Sequence, residues 1–201
     1  MKNTNKEEIQ GKGDLPVISF DSSGKWNNWL ELHHNRQEGI WLRIYKKDSG
    51  IPSINRSEAL DEALCYGWID GQANKCDEIS YLQKYTPRRP RSIWSKRNIE
   101  LVQRLEKEGR MKPSGLKQVE EAKNDGRWER AYDSPSKMTI PDDLINELAK
   151  DKKVLEFFEK LNKTNKFAIV WRLQTAKKPE TREKRMRMII EMLSKGEKFH
   201  G

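Results

Sequence analysis

The densest run of chemistry-bearing side chains lies between Ile79 and Ile99, a stretch with no acidic residue. It carries Lys84, Arg88, Arg89, Arg91, Lys96 and Arg97. Arginine presents a planar fork that matches the oxygens of a phosphate or carboxylate. Ser92 and the N–H groups of a helix starting at Ser92 or Ser95 add an anion-binding terminus. Tyr81, Tyr85 and Trp94 interleave aromatic faces that can stack on a base or ring. The candidate ligand-binding set is therefore Trp68, Tyr81, Tyr85, Arg88, Arg89, Ser92, Trp94, Ser95 and Asn98. Its partner would be an anionic small molecule or an acidic protein, with nucleic acid as a further candidate. A second reading stays open. Glu58, Asp61, Glu62, Asp70, Asp77 and Glu78 crowd the preceding stretch, and these acids would pair with the arginines in an internal network.

Other groups offer less. Asp70, in Trp68-Ile69-Asp70-Gly71, is the weak candidate for a general acid or base, or else a turn carboxylate bridged to an arginine. Cys65 sits on a helix without a histidine in a catalytic signature nearby, and reads as a buried structural thiol. His33 and His34 are adjacent on a helix, so they point apart, and no third ligand follows at metal spacing. No phosphate-loop, dinucleotide or nucleophile-elbow motif occurs. Neither a metal nor a cofactor is expected. Residues 109–115 contain two glycines, but their spacing suits a connector between helices.

Elements that position these groups follow from periodicity. Trp26, Trp29, Leu30 and His33 recur at helical spacing after Ser22 or Ser23, and Gly39 ends that segment. Residues 40–47 alternate as a strand, with Ile40, Leu42 and Ile44 on one face. Ser57 is the expected cap of a helix bearing Leu60, Ala63 and Leu64, with Glu58, Asp61 and Glu62 near its positive end. Residues 68–72 and 79–85 form a hairpin that Pro87 and Pro90 terminate. A helix with Leu101, Val102 and Leu105 inward ends at Gly109, and a short one covers 116–123. After the linker-like stretch 133–137 only helices follow, starting at Asp142, Asp151, Thr164 and Pro179.

The fold class is thus α+β: a small antiparallel sheet packed with helices, followed by an all-helical C-terminal part. The expected division is a flexible N-terminus over 1–15, an α+β domain over 16–135 and a helical domain over 139–196. Composition agrees with a folded chain. Charged residues reach 35% and hydrophobic ones only 34%, yet seven Trp, five Tyr and five Phe supply large rings for a core. The net charge of +9 favours anionic partners, or simply describes a solvated basic surface. Lysines and arginines on the last helices, from Lys160 to Arg187, permit the same two readings. The first residues hold no apolar signal segment and the longest apolar run is Phe167–Trp171, so a cytoplasmic location without a transmembrane segment is expected.

Several strings occur in one order. They are Trp26-x-x-Trp29-Leu30, Gly39-Ile40-Trp41-Leu42, the run from Ser57 to Gly71, and the run from Thr86 to Asn98. Beyond them come Gly109-Arg110-Met111, Asp125-Gly126-Arg127-Trp128, Ala131-Tyr132-Asp133 and the run from Ala176 to Arg182. Over about residues 17–195 the chain resembles the YdeI/OmpD-associated family, called bacteriocin-protection proteins. The resemblance implies bacterial stress or envelope phenotypes and supplies no settled reaction, cofactor or catalytic residue. Three functions are compatible with the residues: a stress protein binding an anionic partner near Arg88, Arg89 and Trp94; an enzyme of unknown class on a small anionic substrate, using Asp70; and a sequence-tolerant nucleic-acid binder.

Overall fold

The computed structural model describes residues 15–200. The expected flexible segment 1–15 lies, apart from Leu15, outside the described residues. The chain divides into two compact units. The first holds the described residues up to Ser92 together with Glu100–Asp125, and the second holds Ile93–Ile99 and the chain from Gly126 onward.

The first unit is built on a four-stranded sheet of order β1-β2-β4-β3. Its strands are β1 (Val17–Ser19), β2 (Ile40–Tyr45), β3 (Trp68–Lys75) and β4 (Ser80–Pro87). The β2–β4 and β3–β4 pairs are antiparallel, as the hairpin pattern requires, whereas β1 adds to β2 in parallel. A register shift interrupts β3 between Asp70 and Ala73. The carbonyls it displaces are not left bare: Gln83 Nε2 donates to Gly71 O at 2.8 Å and to Gln72 O at 3.3 Å.

Helices α1 (Ser23–His33) and α2 (Arg56–Cys65) complete the core with Trp26, Leu30, Leu60 and Leu64. Trp26, Trp68 and Tyr85 have no exposed surface, and Trp26 lies 6.4 Å from Trp68 and 5.6 Å from Tyr85 between ring centroids. Burying each such ring contributes about 2–3 kcal/mol. The Trp26 indole donates to Ala59 O at 3.0 Å, so α1 is fixed to α2 by a directional bond as well as by packing.

Two helix starts differ from the sequence expectation. The cap of α2 is Asn55, not Ser57: its side chain accepts from Ser57 N and Glu58 N, and Glu58 accepts from Asn55 N, closing a capping box. Helix α4 (Pro113–Asn124) starts three residues before the expected 116, because proline suits the first turn of a helix. Gly115 then lies against α2, where a Cβ would stand 2.2 Å from Cys65 O. Of α3 (Lys96–Lys107), the residues from Glu100 onward belong to this unit and present Val102 and Leu105 to the interior.

The second unit is helical. It contains α5 (Asp142–Leu148), α6 (Lys152–Lys160), α7 (Lys163–Gln174) and α8 (Pro179–Ser194). Leu144, Leu148, Val154, Phe158, Ile169, Leu173, Ile189 and Leu193 belong to one buried cluster. Asp151 caps α6 through Lys153 N and Val154 N. Asn162 caps α7 in place of the expected Thr164, accepting from Asn165 N at 2.9 Å. Residues 94–96 are stitched to this unit, since Tyr132 N donates to Trp94 O and Lys96 N to Tyr132 O. No helix of the described residues is long and apolar enough to cross a membrane.

Candidate functional site

In the first unit the end of β4 and the segment after α1 form a depression of about 610 Å³. Its lining includes Arg36, Lys84, Arg88 and Arg89, with His34 beside them and Glu38 as the one carboxylate among the described lining residues. That volume lies within the range of small-molecule sites.

Backbone packing sets the depression's shape. The 34–39 segment is pinned at one end by the Trp68 indole, which donates to His34 O at 3.0 Å. At the other end Gly39 touches β4. A Cβ there would lie 2.3 Å from Tyr85 O and 2.5 Å from Thr86 Cγ2, so only glycine lets the loop approach so closely. Arg88 is held from both directions. Its N–H donates to Gly67 O at 3.0 Å, and Nη1 donates to Ser92 Oγ at 2.9 Å. The Arg88 side chain is therefore buried and pre-set, whereas Arg89 is exposed. Lys84 is half-buried and lies 5.8 Å from the centre of the Trp41 ring.

The six acids that the sequence offers as partners for these arginines are engaged elsewhere. Asp61 meets Arg104 at 2.6 Å, and Glu62 meets Arg110 at 2.7 Å and Asn27 at 2.6 Å. Asp70 pairs with Arg56 at 3.2 Å, Asp77 with Arg43 at 2.6 Å, and Glu78 with Lys75 at 2.7 Å. Glu58 closes the cap of α2. None of these partners is Arg88, Arg89 or Arg91. The Ser80 hydroxyl, backbone N–H groups and Arg43 together hold the Asp77 carboxyl below its usual range.

The remaining candidate residues occupy other places. Trp68 and Tyr85 are core side chains with no exposed surface, and burial drives the Tyr85 hydroxyl far above its ordinary pKa. Tyr81 is half-buried on β4. Trp94, Ser95 and Asn98 cluster with the second unit. There Ser95 caps α3 by accepting from Asn98 N at 3.2 Å, and Trp94 packs 5.1 Å from Trp128. The Cys65 thiol is pushed up to about 11 by burial and then by Glu62, which fits an unreactive core group. Among the described residues no three His, Cys, Asp or Glu side chains are gathered as a metal site would need.

Sequence reasoning missed His34, Arg36 and Glu38. A basic residue in a short loop carries no local signal. The only hint was Gly39, read as a helix stop when its role is close contact with a strand 46 residues further on.

Residues 18–118 match the sequence model described as Domain of unknown function (DUF8412). Residues 137–196 match the model described as Bacteriocin-protection, YdeI or OmpD-Associated. The resemblance read over most of the chain is thus carried by the helical C-terminal segment. No curated protein and no solved structure gives a match.

Proposed function

We propose that this chain, which belongs to the family defined by the domain of unknown function DUF8412 and carries a bacteriocin-protection, YdeI or OmpD-associated segment at its C-terminal end, binds an anionic ligand or partner in the depression of its first unit. The observation that carries this reading is the allocation of charge. The six acids that precede the arginine segment are committed to other groups, while Arg36, Lys84 and Arg89 line one depression with a single carboxylate among its described lining residues. Arg89 presents an exposed guanidinium at the rim, a group suited to a phosphate or carboxylate arriving from solvent.

Binding of this kind does not need the buried rings. Trp68 and Tyr85 act as framework: they hold the loop and the strand between which the cations stand.

Calorimetric titration of the full chain with pyrophosphate, a nucleotide and a short poly-glutamate, at fixed ionic strength, tests the proposal. Arg89→Ala should weaken the preferred probe by about tenfold, the worth of one charge-assisted hydrogen bond. Lys84→Ala should weaken it further. Equal affinity in wild type and both variants would sink the reading. Single- and double-stranded DNA and RNA at two salt concentrations separate a nucleic-acid partner from a small anion by the salt slope.

A further inference from the structure

We infer that the ligand of the first-unit depression is a phosphorylated sugar or polyol, a reading that rests on the anion site proposed above and narrows it. The lining supplies hydrogen-bond acceptors as well as cations, and it supplies no plate for a base.

Charge selects one end of the ligand. Arg36, Lys84 and Arg89 stand against Glu38 in the lining, three cations to one carboxylate, which leaves two positive charges before that of Arg88 is added. Among the described residues none of Arg36, Lys84, Arg89 and Glu38 is held in an ion pair. A phosphate monoester brings a charge of about −1.5 to −2 at neutral pH and matches that excess. A lone carboxylate brings half as much.

Cations alone would take any phosphate, inorganic phosphate and pyrophosphate included. His34 and Glu38 separate these from a sugar phosphate. His34 Nδ1 lies 3.2 Å from both Leu30 O and Glu31 O. A carbonyl oxygen only accepts, so Nδ1 carries the proton and the last turn of α1 shares it. The neutral ring then has Nε2, on its other edge, as an acceptor. Ring and backbone are both held: the imidazole lies 5.6 Å from the Tyr66 ring between centroids, and His34 O accepts from the Trp68 indole at 3.0 Å. Glu38 is a second acceptor, because an ionised carboxylate takes hydrogen bonds and gives none. An inorganic phosphate has oxygens for the cations and little to donate to these two groups. The hydroxyls of a sugar or polyol donate to both. Asn35 and Gln37, from the same loop, add amides that give and take.

The lining also argues against a nucleotide. Bases are ordinarily held by stacking on aromatic side chains. The only aromatic ring among the described lining residues is the His34 imidazole, which already leans on Tyr66. A volume of about 610 Å³ accommodates a monosaccharide together with its phosphate.

Calorimetric titration of the full chain with three phosphates at equal ionic strength tests the inference. They are inorganic phosphate, ribose phosphorylated on its primary hydroxyl, and adenosine monophosphate, which add first the hydroxyls and then the base. Ribose phosphate should bind about tenfold tighter than inorganic phosphate, the effect of one net hydrogen bond. Adenosine monophosphate should bind no tighter than ribose phosphate. Glu38→Ala alters an exposed side chain and should act in two directions. The preference for ribose phosphate should disappear, while inorganic phosphate binds as well as before or better, since a negative charge has gone. Arg89→Ala should weaken all three by a similar factor. Ribose phosphate no tighter than inorganic phosphate, a preference that survives Glu38→Ala, or adenosine monophosphate tenfold tighter than ribose phosphate would each overturn the inference and leave the anion site standing. Absence of binding by all three overturns it too, and the pyrophosphate and poly-glutamate titrations then decide the anion site separately.

Discussion

Two sets of arginines in the first unit have opposite fates. Arg104 and Arg110 reach across from α3 and the segment after it to Asp61 and Glu62, which are only 9% and 8% exposed. Arg36, Arg88 and Arg89 surround a depression whose described lining has one carboxylate. By sequence the second set is the closer to the acids of α2. Proximity along the chain decides nothing, because α2 turns Asp61 and Glu62 toward elements more than 40 residues away. The first set ties α2 to the chain around α3, and the second lines the depression proposed to take a ligand. Charge counting cannot separate these roles, whereas the geometry of α2 does.

The comparison breaks if the closed side proves accessible. Cys65 adjoins Glu62 there, and its thiol, raised from 9.0 to about 11, should be the slow one. Below pH 9 its thiolate is about 100-fold scarcer than that of an unperturbed thiol, before burial slows attack further. Labelling followed by peptide mass analysis should therefore find Cys76, which is half-buried, modified long before Cys65. Because the folded state favours the neutral thiol, this contribution to stability is complete below pH 9 and fades as pH climbs through 11.

A Gly39→Ala variant probes the open side. Its added methyl meets strand backbone at 2.3 Å, so either the loop or β4 must move. A loss of about 2–3 kcal/mol in denaturant unfolding is expected, together with weaker anion binding. Binding unchanged at that stability loss would separate the loop from the site.

Arg104→Ala and Arg89→Ala sharpen the contrast most directly. Removing Arg104 leaves Asp61 buried without its counter-ion, with its other oxygen already lacking a hydrogen-bond partner. Arg104 is itself partly exposed, so the cost is about 1–2 kcal/mol, less than for a fully buried pair. Arg89→Ala should stay within about 0.5 kcal/mol of wild type. Urea midpoints for the two variants read both numbers, and equal losses would erase the distinction.

The smallest effect belongs to Arg91, whose φ of 64° is left-handed. Relief of that conformation in Arg91→Gly, offset by the entropy of glycine, should raise stability by at most about 1 kcal/mol. A small upward shift in Tm would show it, with the anion site untouched.

Much of the fold was legible because its signals are local. Alternation marked β2, and 3.6-residue spacing marked α6 and α8. The α2 cap was misplaced at Ser57 because Asn55 and Glu58 form a reciprocal pair that only becomes visible once the helix start is fixed. Strand β1 has three residues, too few for a period to emerge, and it exists because β2 offers it a partner. Of the site, the arginines of 84–91 could be read directly. Arg36 could not, since a contact between Gly39 and Tyr85 brings it there. The engagement of the six acids was equally hidden, because four of their partners, Arg43, Arg104, Arg110 and Asn27, are 34 or more residues distant.

The break in β3 has a consequence for association between molecules. An open sheet has two edges, and a long, straight edge invites a strand from another chain. Here one edge is β1, with three residues, and the other is β3, bent where its register shifts and ending at Lys75. Neither offers a regular ladder of any length. A short edge and an interrupted one give a strand from another molecule little regular backbone to pair with.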